Sequence, residues 1–246
     1  MLKKLKKLSL GIACAILSIY IGISHIELHN SYLRNNVGSS VVQVLSPAGG
    51  GGTGFAIKAA SGNHFIVTNK HVCEGAVGGW MVIKQDEGLS PSFKKVIYKD
   101  NRHDLCLLEG DKRLSPLNLG SHPNKGDFHY VVGHPGLRQL TVSQGEYIGY
   151  DTVRLIDSSA ITRQSCRGQV YDLNAFEVLM FGREFICIRS FLSYASTAVV
   201  YPGNSGSPVV NKYGNVIGVL FAGSDKQERD NYIVPLSQLE RILNKF

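Results

Sequence analysis

No two cysteines in the 246-residue sequence stand in a Cys-x-x-Cys spacing, so the usual signature of a zinc site is missing and no metal is expected. Charge is sparse, at 18% of residues against 43% hydrophobic, a balance that excludes a disordered, self-repelling chain. Nor is there a basic run interleaved with aromatics. The net charge is +7, but Lys3, Lys4, Lys6 and Lys7 supply four of those charges before the main body of the chain begins. The remaining +3 is no argument for nucleic acid, and none is expected as a partner. Internal repeats and low-complexity tracts are absent. Long aliphatic runs are absent beyond the N-terminus, and short runs punctuated by plentiful glycine lean towards a β-rich fold.

The one long apolar stretch follows the lysines and runs without charge over residues 8–24. A basic start followed by an apolar segment has the layout of a signal peptide or signal anchor, here residues 1–26. Gly22 and Ser24 supply small residues for cleavage after Ser24; uncut, the segment would tether the chain to a membrane, needing about 20 residues to span it. Positive charge stays on the cytoplasmic side, so the rest is expected to be extracytoplasmic, membrane-anchored or secreted or periplasmic. Residues 27–37 are polar, show no periodicity and read as a linker. From residue 38 short apolar segments alternate with turns, including 40–45, 53–58, 64–68, 80–84, 93–98 and 105–109. After a Pro/Gly-rich connection at 115–125 come 130–132, 139–143, 147–154, 185–188, 195–201, 208–210 and 215–221. Many short strands in two halves predict an all-β sandwich or barrel. Beyond the N-terminal apolar segment, itself expected as a hydrophobic helix, only the tail is clearly helical, over 235–246, where Leu236, Leu239, Ile242 and Leu243 follow Pro235 on one face. Besides Cys14, the cysteines are Cys73, Cys106, Cys166 and Cys187, which allow three pairings in an oxidising compartment or reduced thiols in a core.

Three motifs carry chemistry. In Pro202-Gly203-Asn204-Ser205-Gly206-Ser207-Pro208 a serine lies between glycines after a strand. Gly203 can take backbone shapes closed to other residues, turning the amides of Gly203 and Ser205 towards one point as an oxyanion hole. By itself the run reads equally as a turn of a β protein. In Val67-Thr68-Asn69-Lys70-His71-Val72-Cys73 a strand delivers a histidine into a short turn. In Arg102-His103-Asp104-Leu105-Cys106 an aspartate precedes an apolar run, where a carboxylate near the core edge needs a partner such as a histidine N–H. His103, His122, His129 and His134 form no metal spacing and read as structural or surface residues.

Taken together, the motifs resemble the trypsin-like serine peptidases, whose triad runs His, Asp, Ser along the chain. The resemblance covers about residues 40–245 and is closest to the bacterial branches that include the HtrA-type and V8-like enzymes. It is carried also by Thr53-Gly54-Phe55, by Val132-Gly133-His134-Pro135-Gly136 and by Asn215-Val216-Ile217-Gly218. It implies two six-stranded antiparallel β-barrels, at 38–118 and 119–234, closed by the C-terminal helix within a peptidase domain at 38–246. It implies a serine endopeptidase acting on protein or peptide substrates without a cofactor. Ser205 would be the nucleophile, His71 the general base, Asp104 its orienting carboxylate, and Gly203, Asn204 and Ser205 the oxyanion hole. A non-catalytic exported binding or adaptor protein on the same fold is the alternative.

The sequence departs from the family in several places. Asn204 stands where trypsins carry the aspartate that pairs with a newly cut N-terminus, so that mode of activation is not expected. The substrate pocket is expected between Val199, Val200 and Tyr201 on one side and Leu220, Phe221, Ala222 and Gly223 on the other. It holds no acid for a basic side chain, and Leu220 replaces the histidine that meets glutamate in V8-like enzymes, so a small or apolar side chain is expected there. No PDZ module is expected after the peptidase region. Residues 151–190 exceed what a minimal second barrel needs, and Cys166 and Cys187 are expected to staple an inserted hairpin or loop. Cys73 and Cys106, each two residues past a triad member, are candidates for a second disulfide.

Overall fold

A helix of 35 residues, α1 (Leu2–Asn36), leads the chain into its first sheet in the computed structural model, which describes residues 2–86, 89–156, 160–223 and 231–246. Residues 27–37, expected as a linker, are thus helical almost throughout. The reason is a sparse stripe. His29, Leu33 and Val37 recur every fourth residue and share one face. Leu33 and Val37 are fully buried in the main core, and the His29 ring lies 4.8 Å from that of Tyr130. One apolar residue per turn among polar neighbours is too thin a signal to read without its partner surface.

The first half is a closed barrel of six antiparallel strands: β1 (Val41–Leu45), β2 (Gly51–Lys58), β3 (His64–Asn69), β4 (Trp80–Lys84), β5 (Ser92–Asp100) and β6 (Leu105–Glu109), in the order β1-β2-β3-β6-β5-β4. Period-two alternation is clear in β4 and in β5, which runs half-buried and exposed in turn, while β2, β3 and β6 are buried almost throughout. The second half, expected as a six-stranded barrel, forms a sheet of seven strands. Its strands are β7 (Phe128–Gly133), β8 (Thr141–Ile156), β9 (Gln169–Asp172), β10 (Phe185–Ser196), β11 (Pro208–Val210), β12 (Val216–Gly223) and β13 (Asn231–Pro235), in the order β13-β12-β11-β7-β8-β10-β9. β13 also pairs with β10, so six strands return on themselves and β9 lies outside that ring.

The extra strand comes from the long segment after residue 150. β9 and β10 form a hairpin around a short helix, α3 (Ala175–Phe181), capped at its start by Asn174 and at its end by Gly182 in a left-handed conformation. A disulfide between Cys166 and Cys187 staples this excursion, and a second joins Cys73 to Cys106 in the first half. Residues 139–143 and 147–154, expected as two strands, are one. Gly145 does not break β8; it lets the strand approach the backbone of Ala198, which any Cβ there would strike. The tail forms α4 (Leu236–Leu243), whose Leu236, Leu239, Ile242 and Leu243 are all buried.

Candidate active site

β3 ends at Asn69 and the chain turns at once into α2 (Lys70–Cys73), which carries His71. This turn is shaped around Asp104. The Asp104 carbonyl accepts from the Lys70 amide at 2.9 Å and from Asn69 Nδ2 at 3.0 Å. Its Oδ1 accepts from the His71 amide at 2.9 Å, and its Oδ2 lies 2.6 Å from His71 Nδ1. A carboxylate acceptor at that nitrogen keeps the proton on Nδ1 and leaves Nε2 with the lone pair. The Asp104 side chain is 10% exposed and that of His71 45%, so the orienting oxygens are buried while the ring reaches solvent. Asp104 has φ 55°, a left-handed conformation in which Asp and Asn are enriched.

Ser205 lies in the loop between β10 and β11. Its carbonyl accepts from the Thr53 amide at 2.8 Å, which fastens its backbone to β2, the neighbour of the strand that delivers His71. A Cβ on Gly52 would stand 2.6 Å from the Ser205 carbonyl and 2.7 Å from Val72 Cγ2. The serine backbone and the residue after His71 therefore meet across a gap that only glycine leaves open. Gly206, at φ 86°, packs just as closely on the Thr53 carbonyl and the Thr68 hydroxyl.

The loop before the serine is held from behind. The Pro202 carbonyl accepts from the Gly136 amide at 2.6 Å. A trans peptide points its C=O and N–H in opposite directions, so this bond aims the Gly203 amide away from Gly136. Gly203 has φ 95°, and a Cβ there would stand 2.6 Å from the His134 carbonyl and 2.8 Å from the amides of Gly136 and Leu137. Thr53 completes the clamp: its hydroxyl donates to the Gly203 carbonyl at 2.8 Å and accepts from the His134 amide at 3.0 Å. Among the described residues, neither the Gly203 nor the Ser205 amide finds a protein acceptor. The Asn204 amide differs from the expectation that it joins them, because it donates to the Tyr201 carbonyl at 3.0 Å. The geometry therefore offers two free amides, those of Gly203 and Ser205. Thr53, Asn69, His134 and Gly136 were not legible as site residues. The only sequence signal was their place inside the quoted motifs, with a glycine at the contact.

Among the described residues, the expected pocket side chains sit in different surroundings. Leu220 and Phe221 are 2% and 3% exposed and pack into separate core clusters on opposite faces of β12. Val199 and Tyr201 are exposed, and Val200 packs on the edge of the Leu220 cluster. Successive residues of a strand face opposite sides, and both sides of this one are covered. Ala222 and Gly223 end β12, and their surroundings lie outside the described residues.

Among the described histidines, His129 and His134 are both buried outright. His129 on β7 is 1% exposed and shares a 2.6 Å hydrogen bond with Ser196 Oγ, which also accepts from the Ala198 amide. Burial pushes its pKa down to about 4, against a smaller upward pull from the Asp127 backbone. The unfolded chain protonates His129 near its ordinary value of about 6.5, so between these limits unfolding takes up a proton. Stability is then complete above pH 6.5 and falls by about 3 kcal/mol as the pH drops towards 4. Urea unfolding followed between pH 7 and 4 should show this loss, and His129→Gln should flatten it; an unchanged slope would refute the assignment.

A family model described as "Trypsin-like peptidase domain" matches residues 52–219. The putative mitochondrial protease Do-like 12 of Arabidopsis thaliana is 28% identical over 200 residues, covering 78% of this chain and 33% of its own length. The serine protease Do-like HtrA of Bacillus subtilis is 25% identical over 201 residues, covering 78% of this chain and 38% of its own. The chain thus spans little more than a third of these curated relatives. Among solved structures, the active form of the Rv3671c protease from M. tuberculosis superposes with a TM-score of 0.66 at 21% identity, covering 89% of this chain and 85% of that one. That likeness shows the fold. The family match extends over more than half of the sequence and takes in His71, Asp104 and Ser205: the chain belongs to the family of the trypsin-like peptidase domain.

Proposed function

We propose that the chain is an extracytoplasmic serine endopeptidase working through an acyl-enzyme, with Ser205, His71 and Asp104 as its triad. The observation that carries this reading is the double hold of the Asp104 carboxylate on His71, at the amide and at Nδ1, beside a serine whose backbone is fastened to β2. Ser205 Oγ attacks the peptide carbonyl as His71 Nε2 takes its proton. The oxyanion forms against the Gly203 and Ser205 amides. The proton then passes from His71 to the leaving amine, and water repeats the cycle on the ester. Asp104 fixes the tautomer and stabilises the imidazolium without itself taking the proton. Val199, Val200 and Tyr201 suit a small or apolar side chain at the scissile residue, since no described acid lies among them.

The N-terminal segment supports an address outside the cytoplasm. The lysines open the helix α1, on which Ile16, Leu17, Ile19, Tyr20, Ile21 and Ile23 are all exposed, a surface suited to lipid. Among the described residues no helix is long and apolar enough to cross a membrane. Cleavage after Ser24 would leave Leu33 and Val37 to dock as they do here.

A fluorophosphonate probe tests the enzyme. The folded chain should take up one label per molecule, on Ser205, and cleave a peptide library that the Ser205→Ala variant leaves intact. An unlabelled chain with a normal melting transition would refute the peptidase and favour a binding protein on this fold.

A further inference from the structure

A cleft of about 960 Å³ lies between the end of β5 with its following turn and the disulfide-stapled excursion of the second half. Among the described residues its walls carry Lys99, Arg102, Arg167 and Arg189 with one acid, Asp100. Asp100 is buried and already engaged: it meets His103 Nδ1 at 2.9 Å, Arg241 Nη2 at 3.3 Å and the Arg102 amide at 3.2 Å. Burial would raise its pKa, but these neighbours outweigh it and hold the carboxyl below its ordinary value. Its charge is therefore spent inside the wall and not on the cleft. Arg102 and Arg167 are exposed and, among the described residues, lie within ion-pair distance of no acid. Lys99 donates to the Cys73 carbonyl at 2.8 Å and Arg189 to the Asn101 carbonyl at 3.0 Å. The neutral acceptor at Lys99 orients that cation without cancelling its charge.

The cleft is also built firmly. Arg167 follows the stapled Cys166, and Gly168 presses so closely on the Ile188 carbonyl that no Cβ would fit. The Arg189 bond ties the excursion to the turn at Asn101 in the first half. Its position points at the substrate. Arg102 lies two residues before Asp104, and Lys99 holds the carbonyl two residues after His71. A cleft of this volume is about 10 Å across, the reach of about three residues of extended chain.

We infer that this cleft receives an acidic stretch of the polypeptide substrate and makes carboxylates near the scissile bond a determinant of specificity. The inference rests on the peptidase reading for its catalytic consequence, while binding in the cleft can be measured without catalysis. A basic groove with low-dielectric walls focuses its field on an anionic ligand. Two or three partly exposed ion pairs together give about tenfold selectivity, weakened by salt.

The test pairs peptides that differ only in three glutamates or three glutamines flanking one cleavable bond. With the full chain at low ionic strength, kcat/KM should favour the glutamate peptide by about tenfold, and the ratio should approach one at high salt. In Arg102→Glu/Arg167→Glu the ratio should invert; because it is internal to each protein, a general loss of activity cancels. A melting transition checks that this variant folds, and the single variant Arg167→Gln, which should halve the preference or more, serves if it does not. In parallel, fluorescence anisotropy of labelled peptides on the Ser205→Ala chain should show the same discrimination. Equal binding of the two peptides there overturns the inference whatever the serine does. A preference that survives the charge reversal overturns it also. Selective binding with no hydrolysis by the unaltered chain overturns the peptidase reading and upholds the cleft.

Discussion

Ser205→Ala should lower kcat by about 10⁶-fold, since removing the nucleophile of such a triad costs about as much as removing the whole triad. The substitution deletes one oxygen from a loop whose geometry is set by backbone contacts. The Thr53 amide still donates to the carbonyl of residue 205, the Pro202 carbonyl still accepts from Gly136, and Gly203 keeps its left-handed shape. The oxyanion amides therefore survive, and a residue of about 10³–10⁴-fold over water should remain. The peptide should bind about as well as before, so the loss falls on kcat and not on KM. Stopped hydrolysis assays on a single fluorogenic peptide, with anisotropy for binding, measure both. A variant within tenfold of the parent rate would mean that another group is the nucleophile.

Asp104→Asn should cost about 10⁴-fold in kcat with the fold intact. Asparagine is among the few residues that accept a backbone at φ 55°, and the Lys70 and Asn69 bonds run to the backbone carbonyl, which the change leaves alone. What changes is the acceptor at His71. A carboxylate can only accept from Nδ1, whereas an amide can present its NH₂ there and shift the proton to Nε2. Nε2 would then have no lone pair for the serine proton. Loss of a charge-assisted bond should lower stability by about 1–3 kcal/mol, small enough for the protein to remain folded in the assay. Nitrogen-15 shifts of the His71 ring would report the tautomer directly. An unchanged rate with the proton still on Nδ1 would remove Asp104 from the mechanism.

The three triad candidates were legible because each sits in a motif with its own chemistry: a serine between glycines, a histidine at a strand end, an aspartate before an apolar run. What holds them together was not. Thr53 bonds Gly203 across 150 positions of sequence and His134 across 81, and a hydroxyl that bridges two distant backbone groups leaves no local pattern. Asn204 shows the same limit: adjacency to Ser205 suggested a third oxyanion amide, yet the loop turns that N–H back to Tyr201. The fold class followed from many short strands, but strand ends and partners did not. Gly145 reads as a break until Ala198 is seen against it, and β9 belongs to an excursion whose pairing depends on β10. The stripe of His29, Leu33 and Val37 was hidden because one contact per turn has no meaning without the surface it meets.

The Thr53 clamp also orders events in time. Thr53 and Thr68 are made early, whereas Gly203, Ser205 and Gly206 come from the last fifth of the chain. As the chain emerges from the ribosome, the first barrel can close while the loop that carries Gly203 and Ser205 does not yet exist. His71 and Asp104 therefore stand in the first barrel before the serine that Thr53 holds has been made.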